Sequence, residues 1–234
     1  MKLEQAKRDY YRRRAKEEGY RSRAAFKLLQ LNEKYHMFRA NSSVVDIGAA
    51  PGGWLEVASK VIGGRGLAVG VDLVKVKPLG KNVKILQEDI TSDTFPDRLR
   101  EALGRSRADC VLADLSPKLS GIWDMDHFKQ IELCHKVLDI LPETLVQGGS
   151  CVMKAFHGAE LDSLIQRLRN SFERLEISKP EASRKESSEV YLVALGFKGR
   201  VPSRPSEPER SMRPSEPPEG SDAYAPQDDL LPEA

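Results

Sequence analysis

A run of fourteen residues, VVDIGAAPGGWLEV at positions 44–57, constrains this chain more than any other. Val44, Val45 and Ile47 are β-branched and suit a buried parallel strand. Gly48, Pro51, Gly52 and Gly53 interrupt the pattern, and Trp54, Leu55, Val57 and Ala58 resume it at helical spacing. Strand, tight glycine turn and helix in that order predict a βα unit of an open α/β sheet. The turn then lies beyond the strand's carboxyl end, where such sheets bind ligands.

The glycine spacing narrows the ligand. A dinucleotide site carries G-x-G-x-x-G, whereas here Gly48 is followed by three residues and then by Gly52 and Gly53. Asp46, just before the turn, puts a carboxylate beside the ligand, which repels a pyrophosphate and suits an amine. The next apolar stretch, 67–71, ends in Asp72, an acid able to accept hydrogen bonds from both hydroxyls of a ribose. A ribose and an amine without a pyrophosphate describe S-adenosylmethionine. The turn by itself also fits a βα unit whose glycines serve close packing alone.

With 234 residues, the chain can build one sizeable core, and one domain is expected over residues 1–200. From 201 onward, eight of 34 residues are proline and few are large and apolar, so 201–234 is expected to be a disordered Pro/Glu-rich tail. Charge divides at the same place. The tail holds eight acids and three arginines, net −5, which leaves +7 on the rest of a chain whose total is +2. Residues 1–27 alone hold ten Lys or Arg against four acids, which points to a phosphate-rich partner. Cys110, Cys134 and Cys151 lack the number and spacing of a disulfide framework or zinc site, and the four histidines show no metal-like pairing, so no metal is expected. No stretch has the roughly 20 apolar residues of a membrane span, and the basic start lacks the apolar centre of a signal peptide. A cytoplasmic monomer is the expectation.

Along the chain, 2–18 reads as a basic helical arm within residues 1–19, with Tyr10 and Tyr11 among Lys7, Arg8, Arg12, Arg13 and Arg14, a composition suited to RNA. Residues 22–35 read as an amphipathic helix that includes Lys27. Strands follow at 44–47, 67–71, 83–86, 108–113, 150–153, 172–177 and 190–195, and helices at 94–103, 125–146 and 161–168, with Gly148 and Gly149 stopping the long one. Glu88 and Asp89 form an acid pair after the third strand, where an adenine amino group could be held, and Asp114 and Lys154 end the fourth and fifth. Strands alternate with helices until the last two. The fold class expected is therefore α/β, a doubly wound, mostly parallel seven-stranded sheet with an antiparallel edge. Its carboxyl ends should turn the glycine turn, Asp114 and Lys154 towards one crevice.

Five segments together resemble the FtsJ-type RNA ribose 2′-O-methyltransferases. They are YRSRAAFKL (20–28), DIGAAPGGW (46–54), DLSPKLSG (114–121), the strand ending in Lys154, and SSEVYLVA (187–194), and the resemblance spans about residues 7–197. It implies a catalytic tetrad of Lys27, Asp114, Lys154 and Glu189, with S-adenosylmethionine contacts at Gly52, Trp54, Asp72, Asp89 and Asp114, to which the turn itself adds Asp46, Gly48 and Gly53. Within the family the chain is most similar to enzymes acting on a uridine of large-subunit (23S) rRNA. The sequence departs from many bacterial members in reading DLSP where they have DMAP, and the tail has no counterpart. A tRNA or mRNA-cap acceptor, or a non-catalytic ribosome-assembly factor that binds RNA, remains open.

The chemistry sets a requirement on lysine. Methyl transfer from a sulfonium asks the protein to align the acceptor oxygen and take its proton. An unperturbed lysine, near 10.4, would have to fall by about three pH units, roughly 4 kcal/mol, to be neutral at pH 7. Lys27 and burial push Lys154 that way and Asp114 and Glu189 oppose it, so the four act as a coupled set that orients Lys154 and the hydroxyl.

Overall fold

The computed structural model describes residues 3–104, 106–117, 120–184 and 187–204. Helices α1 (Leu3–Glu17) and α2 (Ala24–Tyr35) precede β1 (Ser43–Ile47), α3 (Gly53–Ile62), β2 (Leu67–Asp72) and β3 (Val83–Gln87). Then come α4 (Phe95–Ala102), β4 (Ala108–Ala113), α5 (Trp123–Thr144), β5 (Leu145–Phe156), α6 (Leu161–Ser171), β6 (Phe172–Ser178) and β7 (Glu189–Phe197). The strands form a seven-stranded sheet in the order β3-β2-β1-β4-β5-β7-β6. Pairs from β3 through β5 are parallel, while β7 runs antiparallel to both neighbours, slotted between β5 and the outermost strand β6.

Both faces are covered. The near-continuous apolar run of β1, with Val44, Val45 and Ile47 fully buried, marks a strand packed on two sides. One face carries α2 and α3, whose Leu28, Leu31, Leu55 and Ala58 pack with Val44, Leu112 and Val193. The other carries α4, α5 and α6, with Leu99, Val137, Leu138 and Leu164 against Val45, Val111 and Met153. Helix α1 rests on α2 through Ala15, Tyr11 and Phe26.

Three expectations change. Alternation of strand and helix fails between β2 and β3, which are joined by residues 73–82 without a helix. Helix α5 ends at Thr144, before the glycine pair, because buried Leu145 takes a ladder position against Ala108 and Pro142 removes a helix hydrogen bond in the last turn. The register then jumps to Cys110–Ser150, so residues 146–149 form a bulge, and Gly148 supplies its φ of +80°. Packing also runs past the expected boundary at 200. Val201 lies against the core, the Pro202 carbonyl accepts from Arg167 at 3.0 Å and 3.2 Å, and Arg204 pairs with Glu132 at 2.5 Å. The rest of the expected tail lies outside the described residues, as do Lys118 and Leu119 of the DLSPKLSG segment.

Candidate active site

The glycine turn is held by its neighbours' backbone. Gly48 N–H and Ala49 N–H donate to the carbonyl of Val71 (2.9 Å and 3.1 Å), and Ala50 N–H to Oδ2 of Asp72 (2.8 Å). Gly48 has φ +81°, and a Cβ there would lie 3.2 Å from the Asp114 carbonyl. Gly52, at φ +112°, caps α3. At Gly53 a Cβ would stand 2.2 Å from Ser22 Oγ, so the glycine lets the start of α2 meet the start of α3 without displacing that hydroxyl. The same approach lets Trp54 Nε1 donate to the Ala24 carbonyl (2.9 Å). Arg21 binds this end together, its guanidinium donating to the carbonyls of Lys77 (2.8 Å) and Pro78 (2.7 Å) and its N–H to Glu56 (3.2 Å). The sequence motif contained Arg21 without revealing that role.

Beyond the turn opens a cleft of about 1010 Å³. Gly48, Gly53, Trp54, Asp72, Asp89 and Asp114 line it. Asp89 is exposed, and its carboxyl is held below the usual range by the N–H and hydroxyl of Thr91, at 2.8 Å and 2.7 Å. Gly52 shapes the turn without lining the cleft.

Asp46 departs from its expected role. It is fully buried and does not line the cleft. Burial first, then Asp114 and Asp72, pushes its carboxyl well up. The acids beside the turn that do line the cleft are Asp72, at the end of β2, and Asp114, just after β4.

Four chain segments bring Lys27, Asp114, Lys154 and Glu189 together as two ion pairs. Lys27 Nζ, from α2, lies 2.7 Å from Glu189 Oε1 at the start of β7, both nearly sealed from solvent. Lys154 Nζ, from β5, lies 3.0 Å from Asp114 Oδ1 after β4, off the hydrogen-bonding direction, and the Asp114 side chain is 18% exposed to the cleft while that of Lys154 is 2% exposed. Register explains the convergence: Lys154 pairs with Tyr191, and Glu189, two residues earlier, projects from the same face. The Tyr191 ring lies between Lys27 Nζ (5.7 Å) and Trp54 (5.7 Å), linking the tetrad to the glycine turn. Two amines and two carboxyls thus face one another in pairs, one sealed from solvent and one open to the cleft.

The profile of the FtsJ-like methyltransferases matches residues 20–197, and the matched span contains every segment of this site. The chain belongs to the FtsJ-like methyltransferase family. It is 46% identical over 195 residues to the ribosomal RNA large subunit methyltransferase E of Methanothermobacter thermautotrophicus, covering 83% of this chain and 92% of that one. The protein of the same name from Methanocaldococcus jannaschii is 42% identical over 199 residues, 84% of this chain and 81% of the relative. Among solved structures, a Plasmodium falciparum protein described as a ribosomal RNA methyltransferase superposes with a TM-score of 0.67 at 29% identity, covering 77% of this chain and 100% of that one. Aeropyrum pernix fibrillarin, solved with S-adenosylmethionine, shares the fold at 18% identity and TM-score 0.52, covering 75% of each chain.

Among the described residues no group of His, Cys, Asp or Glu could hold a metal ion, and no helix is long and apolar enough to cross a membrane. The cysteines are free and buried, as packing residues are, and burial pushes the Cys134 thiol up to about 12. His157 is exposed.

Proposed function

We propose that this FtsJ-like methyltransferase binds S-adenosylmethionine in the cleft and methylates a ribose 2′-hydroxyl, that of a uridine in large-subunit (23S) ribosomal RNA, as a monomer in the cytoplasm. The observation that carries the reading is the Lys154–Asp114 pair, a buried amine held 3.0 Å from an acid that faces the cleft beside the glycine turn. A factor that only bound RNA would have no use for two buried ion pairs, whose desolvation is costly.

The residues present fit the cofactor. Gly48, Gly53 and Trp54 line the cleft beside the turn, Asp72 is placed for ribose hydroxyls, Asp89 for the adenine amine and Asp114 for the ammonium. When bound, S-adenosylmethionine supplies an electrophilic methyl group on a sulfonium. Lys154, in its neutral form, receives the proton of the acceptor hydroxyl, and Asp114 lies 3.0 Å from its Nζ. The Lys27–Glu189 pair closes the site behind them and keeps water out. On the surface, the basic arm α1 steers the RNA.

The test is transfer of tritiated methyl groups to ribosomal RNA, as naked RNA and as ribosomal particles. Lys154→Ala should bind S-adenosylmethionine normally and lose about a hundredfold to ten-thousandfold in rate. Lys154→Arg should not rescue it, since arginine stays protonated. Lys136→Ala, an exposed lysine on α5, should keep full activity. A near wild-type rate for Lys154→Ala would overturn the reading.

A further inference from the structure

The last ladder pair between β4 and β5 is Ala113–Met153, after which β4 ends and the chain turns to set Asp114 against Lys154. Strand β5 continues to Phe156, paired on its other side with β7 through Lys154–Tyr191, Ala155–Val190 and Phe156–Glu189. In a parallel ladder the carbonyl of one residue and the N–H two residues later point to the same side, and a single residue of the adjacent strand serves both. Continuing the β4 register would set Leu115 there, opposite Ala155. With β4 gone, the Lys154 carbonyl and the Phe156 N–H need another partner in a buried place.

Gln130, fully buried on α5, supplies it. Its Nε2 donates to the Lys154 carbonyl at 2.5 Å, and its Oε1 accepts from the Phe156 N–H at 3.3 Å. One side-chain amide thus offers the donor and the acceptor that a β4 residue would have offered. One turn later, Cys134 Sγ donates to the same carbonyl at 3.4 Å. One turn earlier, Asp126 accepts from the N–H groups of Ser120 (2.8 Å) and Gly121 (3.0 Å), at the far end of the segment that begins with Asp114. A single stripe of α5, at i, i+4 and i+8, therefore holds the Lys154 backbone through Gln130 and Cys134 and the Ser120–Gly121 backbone through Asp126.

We infer that Gln130 is a positioning residue for methyl transfer: its side-chain amide replaces a strand residue that must be absent for Asp114 to reach Lys154, and so sets where Lys154 points. It touches neither methyl donor nor acceptor and acts through Lys154, and the inference rests on the role of Lys154 proposed above.

Gln130→Met keeps the side-chain volume and removes both hydrogen bonds. Its kcat on ribosomal RNA should fall roughly tenfold to a hundredfold, the cost of a small displacement of a reacting group, with the KM for RNA and the affinity for S-adenosylmethionine unchanged to about twofold. In a Lys154→Ala background, Gln130→Met should cost nothing further, because the group it positions is gone. A wild-type kcat for Gln130→Met overturns the inference, and so does an equal loss in both backgrounds, which is what a residue that merely supports the fold would produce. Should Gln130→Met not fold, Gln130→Asn, whose amide is withdrawn by one methylene, enters the same cycle with the same outcomes. Lys154→Ala alone separates the two levels. If it keeps the wild-type rate, the role of Lys154 falls; if it is inactive while Gln130→Met is not, only the role of Gln130 does.

Discussion

Both oxygens of Asp72 are engaged within the protein, Oδ2 by the N–H of Ala50 and Oδ1 by the N–H of Val74, each at 2.8 Å. Each oxygen keeps a further lone pair for a ribose hydroxyl, so Asp72 both anchors the glycine turn and waits for the cofactor. Asp72→Ala should weaken S-adenosylmethionine binding by roughly 2–4 kcal/mol, about thirtyfold to a thousandfold, as read by calorimetry. Unchanged affinity would remove Asp72 from the site. Asp46 shows the opposite relation between sequence and role. Read from the sequence it is a charge beside the ligand, but its full burial and its neighbours Asp114 and Asp72 favour the neutral acid, a consequence of which side chains enclose it.

At the scale of elements, α1 divides its basic and aromatic residues between two tasks. Tyr11 packs on Phe26 and accepts a hydrogen bond from Gln30, while Arg14 lies over the Phe26 ring and pairs with Glu18, so these two fasten the arm to α2. Arg13 and Lys16 are exposed and Arg12 is half-buried. Changing Arg12, Arg13 and Lys16 to Ala should weaken RNA binding and lower the slope of log affinity against log salt by about one for each phosphate no longer neutralised, with cofactor affinity untouched. An unchanged slope in filter binding would make α1 a covering helix only. The change at α5 belongs to the same scale. Helical spacing and the glycine pair were legible, but the demand of Ala108 for a ladder partner decides where the helix stops.

At the scale of the whole molecule, residues 201–204 pack back onto the domain. Arg167, nearly buried on α6, donates to Asp139 (2.6 Å), to Nδ1 of His135 (2.9 Å) and to the Pro202 carbonyl. Burial and this guanidinium push the His135 imidazole down to about 4. A chain ended after Arg204 should melt with the full-length protein, because the composition of 205–234 cannot bury apolar surface. Ending it after Arg200 removes the acceptor of two Arg167 N–H groups and should cost about 1–3 kcal/mol, a drop of roughly 2–10 °C in Tm. A thermal melt decides both: an equal Tm for all three would make the latch inert, and a drop for the chain ended after Arg204 would mean that 205–234 docks.

Local pattern was enough for the order of strands and helices, for the glycine turn and for acids and lysines at strand ends, because the alternation of apolar runs, glycines and charges is written in neighbouring residues. The distance between Lys154 and Asp114, the sealing of Lys27 against Glu189, the burial of Asp46 and the work of Gln130 were decided by tertiary structure. Each depends on groups far apart in the chain, 162 residues for Lys27 and Glu189, and on which of them burial deprives of water. Gln130 shows the limit most plainly. In the sequence it is one polar residue in an amphipathic helix, and only the early end of β4 beside it turns its amide into a missing piece of the sheet.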